Sequence, residues 1–225
     1  MVNGMPRPRV YVPDQVLDAA ESLVVASGPA SVTIRAISAA TGISNGALYH
    51  TFGSRVGLLG RAWLRAGHRL LEAQTALVDE ALSAPGPLAG VEAVVAAADA
   101  PAVFAERYPN SCVLLLMARR EELLDPDPPD EIATEIAALE AMLVGLMIRL
   151  AVSTWDRKDA AAVDTITMCI VDLPTAILLS RDRLHSKTAR EQLRAAVTAV
   201  LDIGPPPERK RHDNQPDLRR QDRHP

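Results

Sequence analysis

The chain has 225 residues, of which 48% are apolar and only 3% aromatic. Alanine and the aliphatic residues must fill its core, which favours close helix–helix packing and excludes a barrel or sandwich built on large rings. The net charge of −4 is unevenly placed: residues 1–70 hold seven Arg and three Asp/Glu, net +4, and the remainder holds 17 basic and 25 acidic residues, net −8. A basic head on an acidic body suits a protein that meets a polyanion with one end only.

Residues 1–12 combine Pro6, Pro8, Arg7 and Arg9 and read as a flexible arm without the apolar region of a signal peptide. Pro13 can open a first helix to about Ala26, with Val16, Leu17, Ala20, Leu23 and Val24 at helical spacing and Ser27-Gly28-Pro29 as its stop. Thr33 is an N-cap for a second helix over 34–41, with Ile34, Ile37 and Ala40 expected on its inner side. Gly42 can take a positive φ, and Ile43 fills the corner. Ser44 can cap a third helix over 45–51, with Ala47 and Leu48 expected inward and positions 45, 46, 49 and 50 outward. Two short helices about a tight turn, braced by a first, make a helix-turn-helix, whose second helix enters the major groove of DNA.

A fourth helix runs from Ser54 or Arg55 to about Leu82, with Arg61, Arg65 and Arg69 spaced by four as a DNA-facing stripe or a solvated face. Ala84-Pro85-Gly86-Pro87 breaks the chain. Helices are expected at about 88–98, at 101–124 with a bend at Pro109, at 130–153, at 159–180 with a kink or break at Pro174, and at 188–201. Residues 204–225 are Pro-rich, of mixed charge, and read as a disordered tail. The expected fold is all-α with about nine helices: an arm 1–12, a helix-turn-helix domain 13–60, a helical body 61–203 and the tail 204–225.

Cys112 and Cys169 sit in apolar runs without metal-ligand spacing and read as buried thiols of a reducing, cytoplasmic compartment. The sequence has no phosphate loop, metal-ligand cluster or nucleophile motif, so neither an enzyme nor a cofactor or metal is expected. No run reaches 18 uninterrupted apolar residues, so no membrane span is expected.

Leu48-Tyr49-His50-Thr51-Phe52, followed by Ser54-Arg55 and Leu58-Leu59, closely resembles the TetR family of bacterial transcriptional regulators. Thr33, Ile37, Ala40, Gly42, Ile43, Ser44 and Gly46 extend the likeness, which covers residues 13–62. Arg55 stands where lysine is usual, and Val56-Gly57 where an acidic residue often opens the helix. The resemblance implies a repressor that binds a palindromic operator in double-stranded DNA as a homodimer and is released by a small apolar or amphipathic effector. An activator, or a helical interaction protein without DNA binding, is the alternative.

Matching the family's contact positions are Thr33, Arg35, Ser44, Asn45, Gly46, Tyr49, His50 and Arg55. Thr51 joins them for phosphate or a thymine methyl, while Phe52 reads as core. Thr33, Tyr49, His50 and Arg55 suit phosphate, Arg35 suits phosphate or a base, and Ser44 and Asn45 carry the polar groups best placed for bases, asparagine suiting an adenine edge. Resemblance also implies that helices 159–180 and 188–201 pair across a dimer, although an intrasubunit core explains the same apolar residues. It implies a pocket among helices four to eight. Trp63, Phe104, Tyr108, Cys112, Leu116, Met117, Met142, Met147, Trp155 and Met168 are its candidate lining, with Arg119 or Arg120 for an anionic effector.

Overall fold

The computed structural model describes residues 13–118, 123–124, 126 and 128–207. The expected N-terminal arm, the tail beyond residue 207, Arg119 and Arg120 lie outside them. Among the described residues the chain is all helical, with nine helices and no strand. They are α1 (Pro13–Ser27), α2 (Ile34–Thr41), α3 (Asn45–Phe52), α4 (Arg55–Ser83), α5 (Ala89–Arg107), α6 (Pro109–Cys112, running on through Val113–Met117), α7 (Asp130–Trp155), α8 (Ala160–Thr167, running on to Leu179) and α9 (Lys187–Ile203).

The 29-residue α4 is the spine. Its first turns carry α1 to α3, and the rest packs along α5 and against α7. Small residues let the helices close up: a Cβ on Gly67 would stand 2.5 Å from Leu139 Cδ2 of α7. Helix α5 is wrapped by α4, α7, α8 and α9, and its inner face is mostly alanine and valine around the fully buried Phe104.

The prolines act differently from expectation. A break near residues 98–101 does not occur, because α5 runs unbroken through the buried Pro101. Proline removes the N–H that would reach the carbonyl of residue 97. Here Gln74 Nε2 of α4 donates to Ala97 O at 2.9 Å instead. The chain leaves the helix at Tyr108, and Pro109 opens α6. Pro174 does not end α8, whose backbone stays helical through it. Flanking turns widen to π type, with Leu173 N donating to Met168 O and Ser180 N to Thr175 O. Asp159 caps α8 through Oδ1, which accepts from Ala161 N and Ala162 N.

Helices α7 and α8 have two apolar faces each. On α7, Ile132, Ile136, Leu139, Leu146, Met147 and Leu150 are buried, while Val144, Ile148 and Val152 are exposed on the other side and Met142 is exposed towards α4. Met168 and Val171 of α8 are exposed as well. By length and composition both helices could cross a membrane, and 33% and 39% of their apolar windows are buried in the subunit. The stripe of α9 goes the other way: Leu193, Val197 and Leu201 are buried in the protomer, where α9 packs on α5.

Candidate nucleic-acid interface

Three consecutive helices begin with a hydroxyl cap. Thr33 Oγ1 accepts from Ala36 N at 3.1 Å, Ser44 Oγ from Ala47 N at 3.2 Å, and Ser54 Oγ from Gly57 N at 3.0 Å. These bonds satisfy donors that a helix start leaves open. Gly42, at φ 72, ends α2 in the left-handed region and turns the chain. Ser38 Oγ then ties the corner by donating to Ile43 O at 2.6 Å. Gly57 is demanded by space, since a Cβ there would meet Phe52 O at 2.2 Å.

Helix α3 is anchored by Leu48 and Phe52, both buried. Two inward expectations fail: Ala40 and Ala47 are exposed, because Ile34, Ile37, Leu48 and Phe52 already fill the small core. The opposite face presents Asn45, Gly46, Tyr49 and His50 to solvent, with Thr51 exposed beside them. Tyr49 is 54% exposed, unusual for a large ring with a core within reach. Thr33, Arg35 and Ser44 are exposed at the adjoining helix starts. Eight of the nine expected contact residues therefore reach solvent.

The ninth, Arg55, is half-buried and turned inward. Its Nε donates to Val32 O and its Nη2 to Pro29 O, both at 2.7 Å. The guanidinium fork thus holds the turn between α1 and α2, leading directly into the cap of α2. A lysine ammonium lacks this planar pair of donors.

The field around α3 is one-sided. From Ser22 to Leu71 the chain has no carboxylate, and the three acids of the first 70 residues are Asp14, Asp18 and Glu21. All lie on α1 and all meet Arg65, at 3.2, 2.7 and 2.7 Å. Burial alone would lower the pKa of Arg65, but the hydrogen bond and charge of Glu21, with Asp18 and Asp14, raise it above its ordinary value. The arginine row of α4 is accordingly neither a DNA-facing stripe nor a solvated face. Arg61 pairs with Glu131 of α7 at 2.7 Å, Arg65 holds α1, and Arg69 Nη1 donates to Ser111 Oγ of α6 at 3.0 Å. The spacing of Asp14, Asp18 and Glu21 on one helix face was the available signal for this clamp.

The clefts among the described residues include two in the body. One, about 900 Å³, lies between α4, α5 and α9, with Leu77, Ala81, Val95 and Leu193 among its apolar lining and charged residues including the ion pairs Arg190–Asp99 and Arg194–Glu92 lining it as well. The other, about 500 Å³, lies between α4 and α7. Of the ten expected pocket residues only Met142 lines either cleft. Phe104, Cys112 and Met147 are core, Trp63, Tyr108, Leu116 and Trp155 are half-buried, and Met117 and Met168 are exposed. Among the described residues no group of three or more His, Cys, Asp or Glu is arranged to hold a metal.

Residues 16–62 match the family model for bacterial regulatory proteins of the tetR family. No curated protein matches the sequence. The fold is shared with solved structures at low identity. A transcriptional regulator of Pseudomonas aeruginosa PAO1 superposes with TM-score 0.65 at 15% identity, covering 85% of this chain and 88% of that one. A tetR family regulator of Shewanella sp. PV-4 gives 0.57 at 16%, covering 83% and 96%. The fatty acid degradation regulator FadR of Bacillus halodurans gives 0.57 at 16%, covering 84% and 96%.

Proposed function

We propose that the chain is a member of the TetR family of bacterial regulatory proteins, whose family model its residues 16–62 match, and that it is a cytoplasmic transcriptional repressor, binding a palindromic operator as a homodimer and released by a small amphipathic effector. The observation that carries DNA recognition is the α3 face. Asn45, Tyr49 and His50 stand exposed opposite the buried Leu48 and Phe52, in a 50-residue stretch without a carboxylate. Thr33, Ser44, Tyr49, His50 and Thr51 would hold phosphates, Arg35 would add charge, and Asn45 would read a base edge beside the open backbone of Gly46. Arg55 contributes by fixing the turn that presents Thr33.

A single α3 of eight residues reads too few base pairs to select a site, so the reading requires two. The outer faces of α7 and α8, with Val144, Ile148, Val152, Met168 and Val171 exposed, are the apolar surface available for pairing. Helix α9 has spent its stripe on α5. For the effector, the 900 Å³ cleft has the volume of a small-molecule site and a lining of both apolar and charged side chains, which suits an amphipathic ligand. A ligand seated between α4 and α9 would tilt α4 and with it the head, making the DNA-competent spacing of two heads rarer.

Selection of bound sequences from random DNA, followed by gel shift of the full chain, tests the reading. A palindromic consensus, bound strongly by the wild type and weakly by Tyr49→Ala, supports it. Binding without sequence preference, or binding indifferent to Tyr49, overturns it. Transcription from the selected site in a deletion strain separates repression from activation.

A further inference from the structure

Head and body meet at a polar joint of three helices. Glu21 of α1 is 3% exposed and Ser111 of α6 is 1% exposed. Arg65 Nη2 of α4 donates to Glu21 Oε1 at 2.7 Å, and Ser111 Oγ donates to Glu21 Oε2 at 2.8 Å. Ser111 Oγ in turn accepts from Arg69 Nη1 at 3.0 Å. One hydroxyl and one carboxylate thus bind α1, α4 and α6 together. The surroundings stiffen the joint. Arg69 lies 4.9 Å from the ring centre of Tyr108, at the corner between α5 and α6, and Asn110 Nδ2 donates to Ser22 Oγ at 3.2 Å.

Such a joint differs from apolar packing in what it tolerates. Apolar side chains slide over one another at nearly constant contact, whereas hydrogen bonds between buried groups weaken steeply with distance and angle. A buried carboxylate that lost one donor would have no water to replace it. Without the hydroxyl bridge, α1 would be held to the body by the ion pairs of Arg65 and Arg69, by Asn110 and by packing against α4 and α6, which are less directional. With it, a tilt of α4 must carry α1, and α3 beyond it, as one body.

We infer that Glu21 and Ser111 are positioning residues for DNA binding, locking the head to the body so that the distance between the two recognition helices of a dimer is fixed by the body. The inference rests on the DNA-binding reading above, and its signature is selectivity for the spacing of half-sites. A head locked to its body accepts one spacing, while a head free to pivot accepts several. Ser111→Ala removes the hydroxyl bridge from a site that can fold without it. Ser111→Thr keeps a hydroxyl and serves as the rescue.

The test measures affinity of the full-length protein for its selected operator and for the same operator lengthened by one base pair between half-sites. The wild type and Ser111→Thr should prefer the native spacing by about tenfold or more, and Ser111→Ala should lose most of that preference while its melting temperature stays within a few degrees. A role confined to stability would lower affinity on both spacings equally, and an unchanged preference in Ser111→Ala overturns the inference. Hydrogen exchange of the free protein supplies an independent readout. The amides of α1 should exchange several-fold faster in Ser111→Ala, with those of α9 unchanged. Exchange of α1 at the wild-type rate also overturns the joint. A wild type that selects no DNA would instead sink the DNA-binding reading and leave the exchange result to decide the joint.

Discussion

Gln74 on α4 supplies the hydrogen bond that Pro101 on α5 withholds. The carbonyl that a regular α5 would satisfy from residue 101 belongs to Ala97, and Gln74 Nε2 reaches it at 2.9 Å from a side chain only 5% exposed. Gln74→Leu should therefore destabilise the fold by about 1–3 kcal/mol, the cost of an unsatisfied buried carbonyl. In that background Pro101→Ala should recover part of the loss by restoring the helical N–H. Urea unfolding of the two single variants and the double variant checks both. Equal and additive losses would show that the pair is not coupled.

The α3 face separates contact from structure. Tyr49→Ala and His50→Ala should each weaken operator binding by about tenfold, roughly 1.4 kcal/mol, with helicity and melting temperature unchanged. Phe52→Ala, one turn away and buried, should cost about 3–5 kcal/mol of stability and lose binding only through unfolding. Circular dichroism beside gel shift distinguishes the two patterns.

Arg55 yields a sharper contrast. If its charge met a phosphate, Arg55→Met would lower the slope of log affinity against log salt by about one per head. The inward fork to Val32 O and Pro29 O predicts an unchanged slope instead. It also predicts that Arg55→Lys, which keeps the charge, loses about 1 kcal/mol of stability because it cannot make both bonds. Binding measured between 50 and 200 mM salt, on the scale over which such slopes are resolved, reads this directly.

Much of the architecture was legible because its signals are local. Thr33, Ser44 and Ser54 cap helices by hydroxyls that only need the next turn, and Gly42 ends α2 by its own φ. The outward placing of Asn45, Tyr49 and His50 follows from the helical period once Leu48 is inside. What the chain concealed depends on partners far along it. The continuity of α5 rests on Gln74, the inward turn of Arg55 on carbonyls of the preceding loop, and the fate of the arginine row on acids of α1 and α7. Ala40 and Ala47 misled because alanine fits either side of a helix. The expected pocket residues are mostly core, since methionine and aromatic side chains fill interiors and cavities alike. Spacing alone also could not tell that α9 would spend its stripe within the subunit while α7 kept a second apolar face.

In the proposed dimer that second face is where two copies pair. Ile148→Glu, on the exposed side of α7, should turn the dimer into a monomer at micromolar concentration without unfolding it, because a charge on that face is harmless in water and costly at an apolar interface. Sedimentation of both proteins with and without lipid vesicles is the check. Vesicle binding by the wild type, abolished by Ile148→Glu, would assign the face to a membrane instead.

The thiols should be silent in the folded protein. Burial pushes Cys112 up to about 11 and Cys169 up to about 12. Raised folded pKa values leave stability whole below the unfolded thiol pKa of 9.0 and erode it as pH climbs from there towards 11 or 12. At neutral pH, labelling with a thiol reagent should follow global unfolding in urea. Rapid labelling of either cysteine in the native protein would contradict the packing described.

The most direct measurement of all is a hydroxyl-radical footprint of the full chain on its selected DNA. Two α3 helices of one dimer should protect two patches on one face of the duplex, centred about one helical turn or a whole multiple of it apart, and Tyr49→Ala should lose both together. A single patch, protection spread evenly along the DNA, or two patches that survive Tyr49→Ala would contradict a protein that reads DNA through paired recognition helices.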